Sequence, residues 1–205
     1  MRTARALSDV AIGLATAAVV VFTTSAAAAA PSTAGTSDSS PGYVMVEGHR
    51  VVQGTTIGEW GKAKDGQLFS YTYKAGQAKP AEAPAAPAAA RCSVYISDVK
   101  FHGAGANAWF QWETSQVCSG SFGSQKLQTQ MWRSSWSGPR GYNDWHSTRS
   151  TTNSFIDYGW SSDCNDGGGT YTYYPVMKGY ASGIGWGPTT RSDNELRKGC
   201  GTRQP

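Results

Sequence analysis

Leu127-Gln128-Thr129-Gln130-Met131-Trp132 decides how this chain is read. On an extended backbone Leu127, Thr129 and Met131 share one face, and Gln128, Gln130 and Trp132 share the other. The same alternation recurs upstream, where Ala106, Ala108, Phe110 and Trp112 interleave with Asn107, Trp109, Gln111 and Glu113. Cys92, Val94 and Ile96 line one face of another strand, and Tyr171 and Tyr173 one face of a further one. Two more runs lie at 147–158 and 189–196. The segments between them, His102-Gly103-Ala104-Gly105, Ser137-Gly138-Pro139-Arg140-Gly141 and Asn165-Asp166-Gly167-Gly168-Gly169, carry the residues that favour turns. No window has a helical stripe. Period two repeated at short intervals predicts an all-β fold over residues 91–205: an antiparallel β-sandwich, immunoglobulin-like or related.

Residues 91–205 also hold all four cysteines and seven of the eight tryptophans, so the main core is expected there. Residues 75–90 run through Lys79-Pro80-Ala81-Glu82-Ala83-Pro84-Ala85-Ala86-Pro87-Ala88. Regular proline blocks helix and favours extended chain, which predicts a semi-rigid linker. Residues 43–74 place apolar residues on both sides of Gly61-Lys62-Ala63-Lys64-Asp65-Gly66, a polar turn with glycine at both ends. They read as a small β-hairpin unit, which must pack on something because two or three strands alone are marginal in water. Residues 29–42 are rich in Ser, Thr, Gly and Pro and predict a disordered tail. Ahead of them, Arg2 and Arg5 precede an apolar run at 10–22, then Thr23-Thr24-Ser25 and the alanine tract 26–30. A basic n-region, an apolar h-region and an A-x-A cleavage zone predict a cleaved signal peptide over 1–28. The apolar run is short of the roughly 20 residues that span a bilayer. The expected location is extracellular, with no membrane partner after cleavage.

An even cysteine count in an exported chain reads as a disulfide framework, and four cysteines allow three pairings. With strands running up and down in order, Cys92 opens the first strand of 91–205 and Cys118 closes the second, at one end of the sheet. Cys164 precedes the Tyr171 strand and Cys200 closes the last, at the other end. The expected bridges are Cys92–Cys118 and Cys164–Cys200. A structural zinc is not expected, because there is no C-x-x-C spacing and His102 and His146 are poorly placed around the cysteines. The net charge is +4, from scattered single lysines and arginines, and Arg2, Arg5 and Asp9 leave with the leader. That is too mild, and too dispersed, for a nucleic-acid partner.

Cys118-Ser119-Gly120, the strand 127–134, Trp136-Ser137-Gly138 and Gly169-Thr170-Tyr171-Thr172-Tyr173 resemble the corresponding features of small exported two-disulfide β-sandwich proteins of actinobacteria. The leader is similar in style. The resemblance covers residues 91–205 and implies the fold and the compartment. Its motifs are structural, and it implies no activity.

Chemistry has few footholds. Asp144 and His146 would share a face of a strand and could recruit Ser134 or Ser135, but there is no G-x-S-x-G elbow, and His146 reads as a loop residue. His49 and His102 carry no motif. Glu113, Asp144, Asp157, Asp163, Asp166, Asp193 and Glu195 could supply a carboxylate pair for glycoside hydrolysis, and Glu113 shares a face with Trp109. Asp163-Cys164-Asn165-Asp166-Gly167 is oxygen-rich, yet its third ligand position falls on Gly167 and no acid closes a twelve-residue loop. It reads as a turn, and no metal or other cofactor is expected. The tryptophans lead elsewhere. If the Phe110/Trp112 and Leu127/Met131 faces are inward, Trp109 and Trp132 project outward. With Trp136 and Trp145 on turns, and Gln111, Gln128 and Gln130 beside them, they would form an aromatic–amide surface suited to a sugar's apolar ring face and hydroxyl rim. The expectation is a secreted, non-enzymatic binding protein for carbohydrate or cell-wall polymer. The alternatives are a protein-directed inhibitor or toxin presenting Arg140 on the 137–141 turn, and an extracellular hydrolase.

Overall fold

A computed structural model describes residues 42–81, 83–84, 88–165 and 167–201. The expected leader, and the tail up to residue 41, lie outside the described residues. In chain order the strands are β1 (Tyr43–Val46), β2 (His49–Val52), β3 (Thr56–Ala63), β4 (Leu68–Lys74), β5 (Ala88–Ile96), β6 (Lys100–His102), β7 (Trp109–Gly120) and β8 (Gln125–Arg133). They continue as β9 (Arg140–Gly141), β10 (His146–Ser147), β11 (Phe155–Asp163), β12 (Thr170–Ala181), β13 (Gly185–Trp186), β14 (Thr190–Arg191) and β15 (Leu196–Gly199). A 3₁₀ turn at Gly105–Asn107 precedes β7, and there is no α-helix among the described residues.

Two antiparallel sheets pack as a sandwich. The first runs β11-β7-β5-β3-β4, with β6 continuing beside β7 where β5 leaves it. The second is built on the β8–β12 pair. Short strands β9 and β10 flank β8, and β13, β14 and β15 flank β12. The alternation expected for β8 is the alternation observed, and that for β7 holds from Ala108 onward, whereas Ala106 and Asn107 lie exposed in the 3₁₀ turn and not on a strand. Phe110, Trp112, Leu127, Thr129, Met131, Tyr173 and Met177 face inward and are at most 1% exposed. One polar chain crosses this core without an orphan: Trp112 Nε1 donates to Thr129 Oγ1 (2.9 Å), which donates to the Val176 carbonyl (2.8 Å). Cys92 and Cys118 are register partners on β5 and β7 and are bridged. Cys164 and Cys200 are bridged too, joining the end of β11 in the first sheet to the end of β15 in the second.

Three expectations for the N-terminal half need correction. Residues 43–74 are not a separate unit: β3 pairs with β5 along its length, so β3 and β4 belong to the first sheet. The linker ends early, because Ala88, Ala89 and Ala90 already belong to β5. Gly61 is not in the turn but inside β3, where a Cβ would meet the Phe69 ring at 2.5 Å and the Ala90 carbonyl oxygen at 2.4 Å. An aromatic from the neighbouring strand lies over the bare backbone there, and only glycine admits it.

The reason β3 joins the sandwich is Trp60, the eighth tryptophan. It is buried among Cys92, Val94 and the inner face of the second sheet, and its Nε1 donates to the Gly185 carbonyl (3.2 Å). A Cβ at Gly179 would lie 2.5 Å from this indole, and one at Gly187 would lie 2.4 Å from it. Two glycines of the second sheet therefore make the space that one side chain of β3 fills.

On the outer face of the first sheet sits the β1–β2 hairpin. Its turn, Glu47-Gly48, has positive φ at both positions (47° and 84°), the geometry that matches the twist of a two-residue hairpin. Val46 and Val51 pack on Ile57 and Ala75, with Tyr73 and Tyr95 beside them, and His49 stacks on Phe155. Next to this small core lies a fully buried carboxylate, Glu59. It accepts from Tyr71 Oη (2.5 Å) and Lys79 Nζ (2.7 Å), and Arg91 Nε is 3.0 Å away. Lys79, from the stretch expected as linker, thus straps that stretch to the sheet.

Burial, and then the hydrogen bond to Glu59 and its negative charge, push the Tyr71 phenol far above its ordinary value of 10.0. Burial and the Glu59 charge do the same to Tyr73. The folded state therefore keeps both protons while the unfolded chain releases them near pH 10. This contribution to stability is fully present below pH 10 and is lost as pH rises above it. Urea midpoints measured across the alkaline range are expected to fall above about pH 10, and Tyr71→Phe is expected to flatten the fall.

Candidate functional site

The inward rows of β8 and β12 fix what points outward from the second sheet. Register places Lys126 beside Tyr180, Gln128 beside Lys178, Gln130 beside Val176 and Trp132 beside Tyr174. On the β12 flank Trp186 of β13 lies next to Tyr180, and on the β8 flank Ser147 of β10 lies next to Gln128. Trp145 enters just before β10. The result is a face crossing four strands, with an exposed indole at each side: Trp145 is 36% exposed and Trp186 is 44% exposed.

The two indoles share one cation. Lys178 Nζ lies 4.5 Å from the Trp145 ring centre and 4.8 Å from that of Trp186, within the range of cation–π attraction. Lys126 Nζ lies 5.4 Å from Trp186 and 5.5 Å from Tyr180. Farther along, Arg191 covers Tyr174 and pairs with Glu195. Burial raises the Tyr174 phenol, against the opposing charge of Arg191. The amides are partly committed. Gln130 accepts from Trp132 Nε1 (2.7 Å) and donates to the Asn143 carbonyl (2.6 Å), while Gln128 donates to Ser147 Oγ (2.9 Å).

The seven residues expected to form one surface do not do so. Gln128, Gln130, Trp132 and Trp145 come together on the outer face of the second sheet. Trp109 and Gln111 do project outward, but from the first sheet, on the opposite side of the sandwich. Trp109 is stacked on His102, with ring centres 4.3 Å apart. Two outward strands of different sheets point away from each other across the core, so alternation alone cannot join them. Trp136 stands at the tip of the turn after β8, 99% exposed and without a ring contact among the described residues.

Trp186, Lys126, Lys178 and Tyr180 were not anticipated. Lys126 was within reach, being two residues before Gln128 on the same strand face. Lys178 and Tyr180 lie on the face of β12 opposite Tyr171 and Tyr173. Trp186 sits in a two-residue strand, too short to show any period.

The catalytic alternatives are not assembled. Among the described residues His146 contacts Asn143 and Trp160, with no bond to Asp144, Ser134 or Ser135. Ser134 Oγ accepts from the Thr172 amide and Ser135 Oγ donates to the Gly138 carbonyl. Glu113 stands on the outer face of the first sheet opposite Gly159, and Asp157, diagonal to it, accepts from Ser115 (2.7 Å). In the oxygen-rich turn, Asp166 lies outside the described residues. No group of three or more His, Cys, Asp or Glu able to hold a metal ion occurs among the described residues. Nor is any helix among them long and apolar enough to cross a membrane.

No protein-family model, curated protein or solved structure matches this chain.

Proposed function

We propose that this chain is a secreted, non-enzymatic binding protein that holds an extracellular polysaccharide or cell-wall polymer on the outer face of its second sheet. The observation that carries this reading is the pair of exposed indoles, Trp145 and Trp186, set on either side of Lys178. A sugar ring offers a C–H face to an indole and hydroxyls to the groups at its rim. Gln128 on β8 and Ser147 on β10, bonded to each other beside the platform, are the polar groups nearest to meet that rim. β8, β12 and β13 hold Lys126, Lys178 and Trp186, and Trp145 adjoins β10, so little ordering cost accompanies binding. Two disulfides and a secretory leader suit an oxidising, extracellular place of work.

Affinity electrophoresis through gels containing a panel of plant and bacterial polysaccharides tests it. Trp145→Ala and Trp186→Ala are each expected to weaken retention by about tenfold or more, the effect of losing an aromatic anchor. Trp109→Ala, on the far side of the molecule, is expected to leave retention unchanged. Full retention in both Trp145→Ala and Trp186→Ala takes this face out of the reading. A protein-directed role keeps one specific support, the turn that presents Trp136. There Ser135 bonds Gly138, whose φ is 104°, and the indole is left in solvent. In the same gels Trp136→Ala separates the two readings by leaving polymer retention intact.

A further inference from the structure

We infer that the polymer this face takes is an acidic polysaccharide built of hexuronate units. The inference rests on the proposed function and narrows it. Its basis is the charge left over on the platform. Arg191 is neutralised by Glu195, whereas neither Lys126 nor Lys178 has a carboxylate partner among the described residues. Asp144, the acid next to Trp145 in sequence, is exposed and bonded to neither lysine. Each ammonium group is held against two rings, Lys178 by Trp145 and Trp186 and Lys126 by Trp186 and Tyr180, and ring contacts leave its N–H donors for an incoming acceptor. A lysine has three such donors and no planar fork, so it receives a single charge without demanding one orientation.

Two requirements then meet in one ligand unit. The indoles ask for a ring with an apolar face. The lysines ask for a negative charge carried close to that ring. A hexuronate supplies both from a single residue, the carboxylate standing at the rim of the sugar. A neutral glycan leaves the lysines unanswered, and a polyol phosphate chain has no ring to stack. Single-stranded nucleic acid has rings and charge, but it runs its phosphates along a basic groove. With Arg191 paired, the platform offers two lysines in place of such a groove.

The full chain is titrated with polygalacturonate and with neutral galactan, at about 50 mM and about 0.5 M salt, concentrations that bracket weak and strong screening. Polygalacturonate is expected to bind about tenfold more tightly than galactan at low salt, the gain two partly exposed charge contacts give. That preference is expected to vanish at high salt and in the double variant Lys126→Gln/Lys178→Gln. Trp186→Ala is expected to weaken both polymers alike. Equal affinity for galactan and polygalacturonate would overturn the acidic assignment and leave the proposed function standing. Binding to no polysaccharide of the wider panel would overturn both. Tighter binding of polyglycerol phosphate or of oligodeoxythymidine would overturn the hexuronate assignment in favour of those chemistries.

Discussion

A chain that begins at Arg91 is expected to lose the native state, although residues 91–205 hold every cysteine and nearly every tryptophan. Removing residues up to 90 takes away β1 to β4 together with the start of β5, and turns the rest of β5 from an interior strand into an edge. It also empties the site of Trp60, which the second sheet has been shaped to receive through Gly179 and Gly187. Trp60→Ala alone is expected to cost about 3–5 kcal/mol, the usual range for deleting a buried tryptophan. Against a total stability of about 5–15 kcal/mol, that one change takes a large share. The truncation adds the loss of the β3–β4 and β3–β5 pairing and of the whole small core that Ile57 and Ala75 form with the β1–β2 hairpin. The two disulfides would still form in an oxidising host, but Cys92–Cys118 would then tie down an edge strand, β5, whose partner β3 is gone. The measurement is urea unfolding followed by near-ultraviolet circular dichroism. The chain starting at Tyr43 is expected to unfold cooperatively like the full chain, Trp60→Ala at a markedly lower midpoint, and the chain starting at Arg91 without a cooperative transition. A native-like transition in the Arg91 chain would mean that the first ninety residues are dispensable.

The strands of the sandwich were legible because β8 alternates throughout, β7 alternates in its first half and β12 at Tyr171 and Tyr173, and both disulfides followed from where the cysteines fall among the strands. The place of β3 was not. Residues 56–63 read Thr-Ile-Gly-Glu-Trp-Gly-Lys-Ala, with glycine twice and a carboxylate on the covered face, and none of these is a typical core signal. Each makes sense only against a partner distant in sequence. Trp60 needs Gly179 and Gly187, Gly61 needs Phe69, and Glu59 needs Lys79 and Arg91. An alanine–proline stretch then disguised the boundary, since its last three residues enter β5.

The site was half legible for a related reason. Period two says that Gln128, Gln130 and Trp132 leave the core, but not which way that face looks relative to Trp109 and Gln111. Only sheet membership settles this, and membership is a property of long-range pairing. Once it is known, Lys126, Lys178, Tyr180 and Trp186 fall onto the same face. The two lysines also change the character of the surface from a neutral aromatic–amide patch to a cationic one.

Stranding the Glu59 carboxylate is expected to cost more than deleting it. Glu59 is 0% exposed, whereas the Lys79 and Arg91 side chains that neutralise it are 37% and 24% exposed. In Glu59→Leu the two cations can turn to water, Arg91 with Glu47 still 3.6 Å from its Nη1. What remains buried and unpaired is the Tyr71 hydroxyl, a penalty of about 1–3 kcal/mol, offset by the apolar packing of leucine. In the double variant Lys79→Met/Arg91→Met the carboxylate stays where it is, with only neutral phenol groups, Tyr71 and Tyr73, beside it. An uncompensated buried charge of this kind costs about 3–5 kcal/mol. Urea midpoints at neutral pH are therefore expected to fall in the order wild type, Glu59→Leu, double variant. The triple variant, with all three groups apolar, is expected to recover much of what the double variant loses, because it removes the charge the double variant abandons. If the double variant proves as stable as Glu59→Leu, water reaches Glu59 in solution and the strap made by Lys79 does not seal it. If the triple variant matches wild type, the cluster contributes specificity to the seating of residues 75–81 on the sheet rather than net stability, as buried ion pairs in other settings do.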